Sequence, residues 1–224
     1  YDADKIAALD SRPADFDAYW ASCRSKLDQV PLDATLTEVD VPQALQGKVN
    51  CYSIEVKCQG RTPVTGYLAV PVGAKPNSLP AYVNYLSMVW QDASRKGAME
   101  TASKGVLALY VSWHGLPTGK TEEEYKRISQ TWYEEGGKAG DTDRDTWFGH
   151  DMYLRVMRAL DFIKSRPEWN HKELVVCGGS LGGIQTIAAA ALDRDVTIAV
   201  VSVPSGCEYN GHKQGRDAAA LYRG

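Results

Sequence analysis

The chain has no apolar run approaching the roughly 18 residues that a membrane-spanning helix needs, and no basic-then-apolar leader at its start. A helical membrane anchor is therefore not expected. It begins at Tyr1 rather than Met, and upstream sequence is expected to have been removed or omitted. Cysteine is scarce: the five are Cys23, Cys51, Cys58, Cys177 and Cys207, and none forms a C-x-x-C pair. That spacing predicts neither a zinc site nor a redox pair, and no metal or other cofactor is expected. Cys51 and Cys58 sit on one extended run, where seven residues at about 3.3 Å each hold them too far apart to bridge one another. The 25 lysines and arginines are scattered against 28 aspartates and glutamates, for a net charge of −3. Without a basic stripe to neutralise phosphates, nucleic acid is not expected as a partner. There is also no internal repeat, low-complexity tract or proline- and serine-rich linker, so the 224 residues are expected to share one core.

What is present is a change of hydrophobic period along the chain. Phe16, Tyr19, Trp20, Cys23 and Leu27 recur at spacings of three and four, predicting a helix between Pro13 and Val30. Residues 36–41, 51–58 and 64–70 then read as short strands. In the second of these, Tyr52, Ile54, Val56 and Cys58 share one face and Ser53, Glu55 and Lys57 the other, as in a half-solvated antiparallel strand. After Leu79-Pro80, strand 81–86, helix 94–103 and strand 106–113 follow in the β-α-β order of a parallel sheet. Residues 117–146 form a long excursion with a short helix at 121–133, a length typical of functional loops. The strongest helix runs from Trp147 to Ser165, with Phe148, Met152, Val156, Ala159, Leu160 and Ile163 inward and Asp151, Arg155, Arg158 and Lys164 outward. Strand 174–177, helix 184–192 and strand 196–203 close the pattern. The fold class is α/β: a mostly parallel sheet with antiparallel N-terminal strands and helices on both faces.

Between the strand ending at Cys177 and the next helix lies Gly178-Gly179-Ser180-Leu181-Gly182. A serine hydroxyl is a weak nucleophile, so an enzyme must expose it, place a base beside it and offer donors to the oxyanion that forms. A strand-to-helix elbow provides the exposure, and its tight turn leaves no room for side chains two positions either side of the serine, hence Gly178 and Gly182. The pattern lies about 95 residues after the first parallel strand, as an α/β-hydrolase requires. Ser180 is thus the candidate nucleophile. The backbone N–H of Leu181 is the first candidate oxyanion donor, and that of Met88, in the loop after the first parallel strand, is the second. Trp113 and His114, after the second parallel strand, are candidates to line the pocket, with a structural histidine as the alternative. Trp90, Trp113 and Trp147 are either sugar-stacking surfaces or core.

With these residues placed, the chain resembles the acetylxylan esterase and cephalosporin-C deacetylase family of carbohydrate esterases, in particular its longer secreted bacterial branch. The resemblance runs through Arg12-Pro13-Ala14-Asp15-Phe16-Asp17-Ala18-Tyr19-Trp20, Gly66-Tyr67-Leu68-Ala69-Val70-Pro71, Leu79-Pro80-Ala81, Trp113-His114-Gly115-Leu116-Pro117, Asp143-Arg144-Asp145-Thr146, Arg158-Ala159-Leu160-Asp161-Phe162 and the elbow. It implies an α/β-hydrolase fold, deacetylation of xylose units or similar sugars through an acyl-serine intermediate, and a secreted or periplasmic location. It also implies self-association, since members often form hexamers. Two positions depart from the family pattern: Trp113-His114-Gly115 stands where Arg-Gly-Gln is usual, and Leu181 where Gln follows the nucleophile.

In this fold the triad acid and histidine follow the serine in that order. Only 44 residues follow Ser180, so both partners are expected beyond Gly224, with the single domain of residues 1–224 incomplete at its C-terminus. His212 is the only later histidine and comes before the expected acid-bearing strand, while Glu208 and Asp217 read as solvated charges. Asp141, Asp143 and Asp145 alternate like a calcium loop, yet Thr146 and Met152 stand where it needs Gly and Glu, so turn formation and capping of the helix at Trp147 explain them better. Three functions remain open: a carbohydrate esterase, another serine hydrolase of the same fold such as a peptidase or lactone hydrolase, and a non-catalytic relative used for binding.

Overall fold

The computed structural model describes residues 11–134 and 143–206, apart from the side chain of Tyr133. Seven strands form one sheet in the order β1-β2-β3-β5-β4-β6-β7. Its antiparallel part comprises β1 (Ala34–Glu38), β2 (Val49–Val56) and β3 (Val64–Pro71), and β3 also runs antiparallel to β5 (Leu107–Val111). From β5 the sheet continues in parallel through β4 (Leu79–Tyr85) and β6 (Trp169–Gly179) to β7 (Ile198–Ser202). The expected mostly parallel α/β architecture with antiparallel N-terminal strands is therefore present.

The helices cover both faces. On one, α2 (Arg95–Ala102) places Ala98, Met99 and Ala102 over Val49, Cys51, Tyr67 and Ala69. On the other, α4 (Phe148–Lys164) and α5 (Leu181–Leu192) enclose the larger core, in which Val156, Ala159, Leu160 and Ile163 meet Val83, Leu109 and Val176. Helix α1 (Phe16–Asp28) lies outside α4, burying Cys23 and Leu27 against Leu154 and Met157. The fifth helix, α3 (Glu122–Glu134), opens on a reciprocal cap: Glu124 N–H donates to Thr121 Oγ1 and Thr121 N–H to the Glu124 carboxylate.

Two expectations need correction. Arg155 and Arg158 do not face solvent; they are 7% and 3% exposed, because α1 and the loop after β2 roof the side of α4 that an ordinary surface helix leaves wet. Arg158 donates to the carbonyls of Leu27 and Val30, capping the last turn of α1, and Arg155 donates to Thr62 Oγ1 and the Trp113 carbonyl. The second is narrower: β2 is antiparallel with Ile54 and Val56 inward and Glu55 and Lys57 exposed, as read, but Cys51, on the same face as Glu55, is buried beneath α2. Only from Ser53 onward is that face open. No disulfide joins Cys23, Cys51, Cys58 and Cys177.

The far edge of the sheet is bare among the described residues. Ile198, Val200 and Val203 are 55%, 51% and 79% exposed, as expected of an apolar edge strand with nothing against it. No helix of the described residues is long and apolar enough to cross a membrane.

The two kinds of cation should differ sharply in their effect on stability. Arg158→Met removes two buried, charge-assisted bonds; the Leu27 carbonyl keeps the Val30 N–H, but the Val30 carbonyl loses its side-chain donor, so urea denaturation should show a loss of about 2–3 kcal/mol. Lys96→Ala breaks only an exposed i,i+4 pair at 3.7 Å and should cost less than about 0.5 kcal/mol. Equal losses would show that Arg158 does not tie α1 to α4.

Candidate active site

The chain leaves β4 toward β5 on one side and returns to β6 on the other, so the carboxyl ends of β4 and β6 border a topological switch point, where α/β sheets bind ligands. Ser180 sits there. Its φ of 53° and ψ of −118° lie in a region that side chains rarely adopt, a strained strand-to-helix turn. The strain is held by backbone bonds on both sides: Ser180 N–H donates to the Ser202 carbonyl, and the Ser180 carbonyl accepts from Gly183 and Ser205. Both flanking glycines are required. A Cβ on Gly178 would fall 2.3 Å from the Gly182 carbonyl oxygen, and one on Gly182 would fall 2.2 Å from that of Tyr85.

Because the first intrahelical bond of α5 is made by Gly183, the N–H groups of Leu181 and Gly182 are left without helical partners and point from the helix N-terminus. The Leu181 side chain is 2% exposed and packs in an apolar cluster with Trp113, Phe148 and Met152, against which Leu86, Met88, Trp90, Trp132 and Trp147 also lie. The residues singled out from sequence (Ser180, Leu181, Met88, Trp90, Trp113 and Trp147) therefore converge on one end of the sheet. Trp132, from α3, is a member that sequence reading missed; it falls in the long excursion, where no periodicity marked it as inward.

Trp113 and His114 are buried, at 3% and 6% exposure. The Trp113 indole N–H donates to the Val89 carbonyl at 3.0 Å. His114 Nδ1 accepts from Leu116 N–H, which leaves its Nε2 to donate to the Gln91 carbonyl, and its ring stacks parallel to Trp90 at 5.6 Å. Burial pushes the imidazole pKa down to about 4, so the ring is neutral at physiological pH. Asp92, which the sequence did not flag, completes the bracing: it accepts from Tyr67 Oη, Tyr125 Oη and Gly119 N–H. Burial raises the Tyr67 phenol to about 12, so it remains a donor to that carboxylate.

The remaining described histidines are engaged away from Ser180. His150 lies between Cys23 Sγ and the Asp145 carbonyl, and His171 bonds Asn77. His212, Glu208, Asp217 and Asp141 lie outside the described residues. Asp143 accepts from Asp145 N–H in a local turn ahead of α4, and the helix's N-cap position, Trp147, makes no side-chain cap bond, so Asp143 and Asp145 take the turn role and not the capping one. No group of three or more metal-ligating side chains occurs among the described residues.

A family model described as acetyl xylan esterase (AXE1) matches residues 4–223. The chain belongs to that family. An acetyl esterase, Axe7A, of Xylanibacter ruminicola is 29% identical over 210 residues, which cover 91% of this chain and 46% of the relative. The solved acetyl xylan esterase of Paenibacillus sp. R4 superposes with a TM-score of 0.74 at 24% identity, covering 96% of this chain and 66% of that one. Acetyl xylan esterase 1 of Thermoanaerobacterium sp. JW/SL YS485 gives 0.70 at 17% identity, covering 95% and 66%. The chain thus spans about half the length of the curated relative and just under two thirds of each solved structure, and its fold is the α/β-hydrolase fold they share.

The neutral state of His114 has a measurable consequence. Its folded pKa, about 4, lies below the ordinary 6.5, so the unfolded chain takes up the proton first as pH falls through that window. Stability should therefore decline between pH 6.5 and 4, by up to about 3 kcal/mol from this group alone. In urea titrations at several pH values, His114→Gln, which keeps an N–H donor without a titrating ring, should flatten that slope. An unchanged slope would show that His114 is not the group responsible.

Proposed function

We propose that the protein is a serine carboxylic-ester hydrolase that removes acetyl groups from acetylated xylan or related sugars. The single observation that carries the serine mechanism is the strained backbone of Ser180 between two obligatory glycines at the switch point of the sheet. Family membership supports the ester-hydrolysing chemistry and the acetylated carbohydrate substrate. In this reading Ser180 Oγ attacks the acetyl carbonyl, and the backbone N–H groups of Leu181 and Met88 stabilise the oxyanion. The tetrahedral intermediate collapses to acetyl-Ser180 with loss of the sugar hydroxyl, and water then releases acetate.

The base and the acid that orients it come, in this proposal, from outside the described residues. Each described histidine is already engaged elsewhere, and the His114 imidazole is locked between two backbone partners and dry. A secreted or periplasmic site of action fits a polymeric plant substrate and follows from the family reading alone.

In the full-length protein, a serine-directed organophosphonate should label Ser180, and Ser180→Ala should abolish labelling and lower acetate release by several orders of magnitude. Acetylated xylose oligomers should be cleaved much faster than long-chain acyl esters; preference for long chains or peptide bonds would point to a different hydrolase of the same fold. Esterase activity surviving in Ser180→Ala would remove the nucleophile assignment.

Residues 1–224 expressed alone should give no more than trace turnover of a small acetyl ester, since a nucleophile without its base loses about a millionfold in rate. The exposed Ile198, Val200 and Val203 should also make that fragment poorly soluble. A rate close to that of a complete homologue would place a base within these residues.

A further inference from the structure

The segment after β4 carries Met88, and its backbone is held by side chains from two other elements. On one flank, Gln185 of α5, 2% exposed, donates through Nε2 to the Leu86 carbonyl at 3.1 Å and to the Leu181 carbonyl at 3.2 Å. On the other, the Trp113 indole N–H donates to the Val89 carbonyl at 3.0 Å. Between these anchors, Val89 N–H donates to the Ser87 carbonyl at 2.7 Å, closing a three-residue turn with Met88 at its centre. Leu86 N–H, in turn, is bonded to the Val111 carbonyl at the end of β5.

A half-exposed loop of this kind would ordinarily sample several backbone orientations, and a donor that wanders by an ångström is worth little to a developing oxyanion. Here the peptide groups on both sides of Met88 are fixed. Gln185 does a second thing at the same time: its one carboxamide nitrogen joins the segment bearing the Met88 N–H to the residue bearing the Leu181 N–H. We propose that Gln185 and Trp113 are positioning residues that set the distance and angle between the two oxyanion donors, Gln185 by stitching their segments together and Trp113 by locking the turn around Met88. This rests on the reading of Leu181 and Met88 as those donors.

The role is separable from packing because each side chain has a near-isosteric form without the donor. Gln185→Met keeps length and volume but loses the N–H bonds; benzothienylalanine at position 113 keeps the bicyclic ring and replaces the N–H with sulfur. In the full-length protein, with rates divided by the amount of Ser180 titrated to completion by phosphonate so that only folded enzyme counts, each variant should lower kcat for a small acetyl ester about tenfold or more. KM should stay within about twofold, the pattern of an interaction felt only in the transition state. Met88→Pro, which deletes the N–H itself, should cost about a hundredfold or more.

If Met88→Pro is crippled while Gln185→Met and the sulfur analogue turn over at the wild-type rate, the positioning role is wrong and the donor reading stands. If Met88→Pro keeps the wild-type kcat while Ser180→Ala is dead, the donor reading fails and the positioning role with it. A rise in KM at constant kcat in the two isosteric variants would also overturn the proposal, since it would place both residues in substrate binding.

Discussion

The first turn of α5 runs so close to the end of β4 that the Gly182 Cα faces the Tyr85 carbonyl with no space for a methyl group between them, and Gly178 meets Gly182 in the same way. Most of what is described around Ser180 depends on that approach. It lets a helix begin directly from the end of a sheet strand, holds the serine at positive φ, and brings the N-terminal N–H groups of α5 beside the segment that follows β4. It also brings Gln185 within reach of Leu86, a bond that a wider turn would not permit. The strain at one residue is sustained because the strands on either side of it, β4 and β7, are bonded to β6 in register up to the turn itself.

The sheet and the elbow were legible in the sequence because each leaves a local mark. Buried parallel strands are short apolar runs, α4 shows an inward face of period 3.6, and the two glycines that the turn requires stand at fixed places two residues either side of Ser180, although the contact that forces Gly182 comes from Tyr85 far back in the chain. Boundaries shifted by a few residues. β6 starts at Trp169, not Leu174, because its first residue pairs with Leu79 across an irregularity that hydropathy does not record. Arg155 and Arg158 were misplaced for a related reason: a charged residue on the outer face of an amphipathic helix reads as solvated, and only the tertiary arrangement shows α1 and Thr62 above it. Both guanidiniums are buried against carbonyl and hydroxyl oxygens. Burial pulls that of Arg155 down to about 10, still cationic at neutral pH.

At the candidate site the sequence offered a list of residues, but not the bonds that hold them. Trp113 and His114 were read as pocket walls from their place after a parallel strand, and they do lie at that end of the sheet. Their polar atoms, however, are bonded to the backbone of the neighbouring loop. Gln185 and Asp92 carried no signal, since a single glutamine in an alanine-rich helix and a single aspartate in a loop are ordinary. Their importance comes from partners 99 and 25 to 33 positions away in the chain. Hydrogen bonds between loops and distant side chains are where a site gains its rigidity, and they leave no period for a sequence to display.

The strand order has a consequence for the chain while it is being made. β4 is an inner parallel strand, with β5 on one side and β6 on the other, yet β6 starts only after roughly eighty further residues. At ribosomal speeds of about 5–20 residues per second, the β6 side of β4 waits on the order of ten seconds for its partner. During that interval Ala81, Val83 and Tyr85, all buried in the finished fold, have neither β6 beside them nor α4 above them. The antiparallel strands and α2 can assemble early, so co-translational quality control should meet a half-built sheet whose unfinished border is the strand that Ser180 will later be set against.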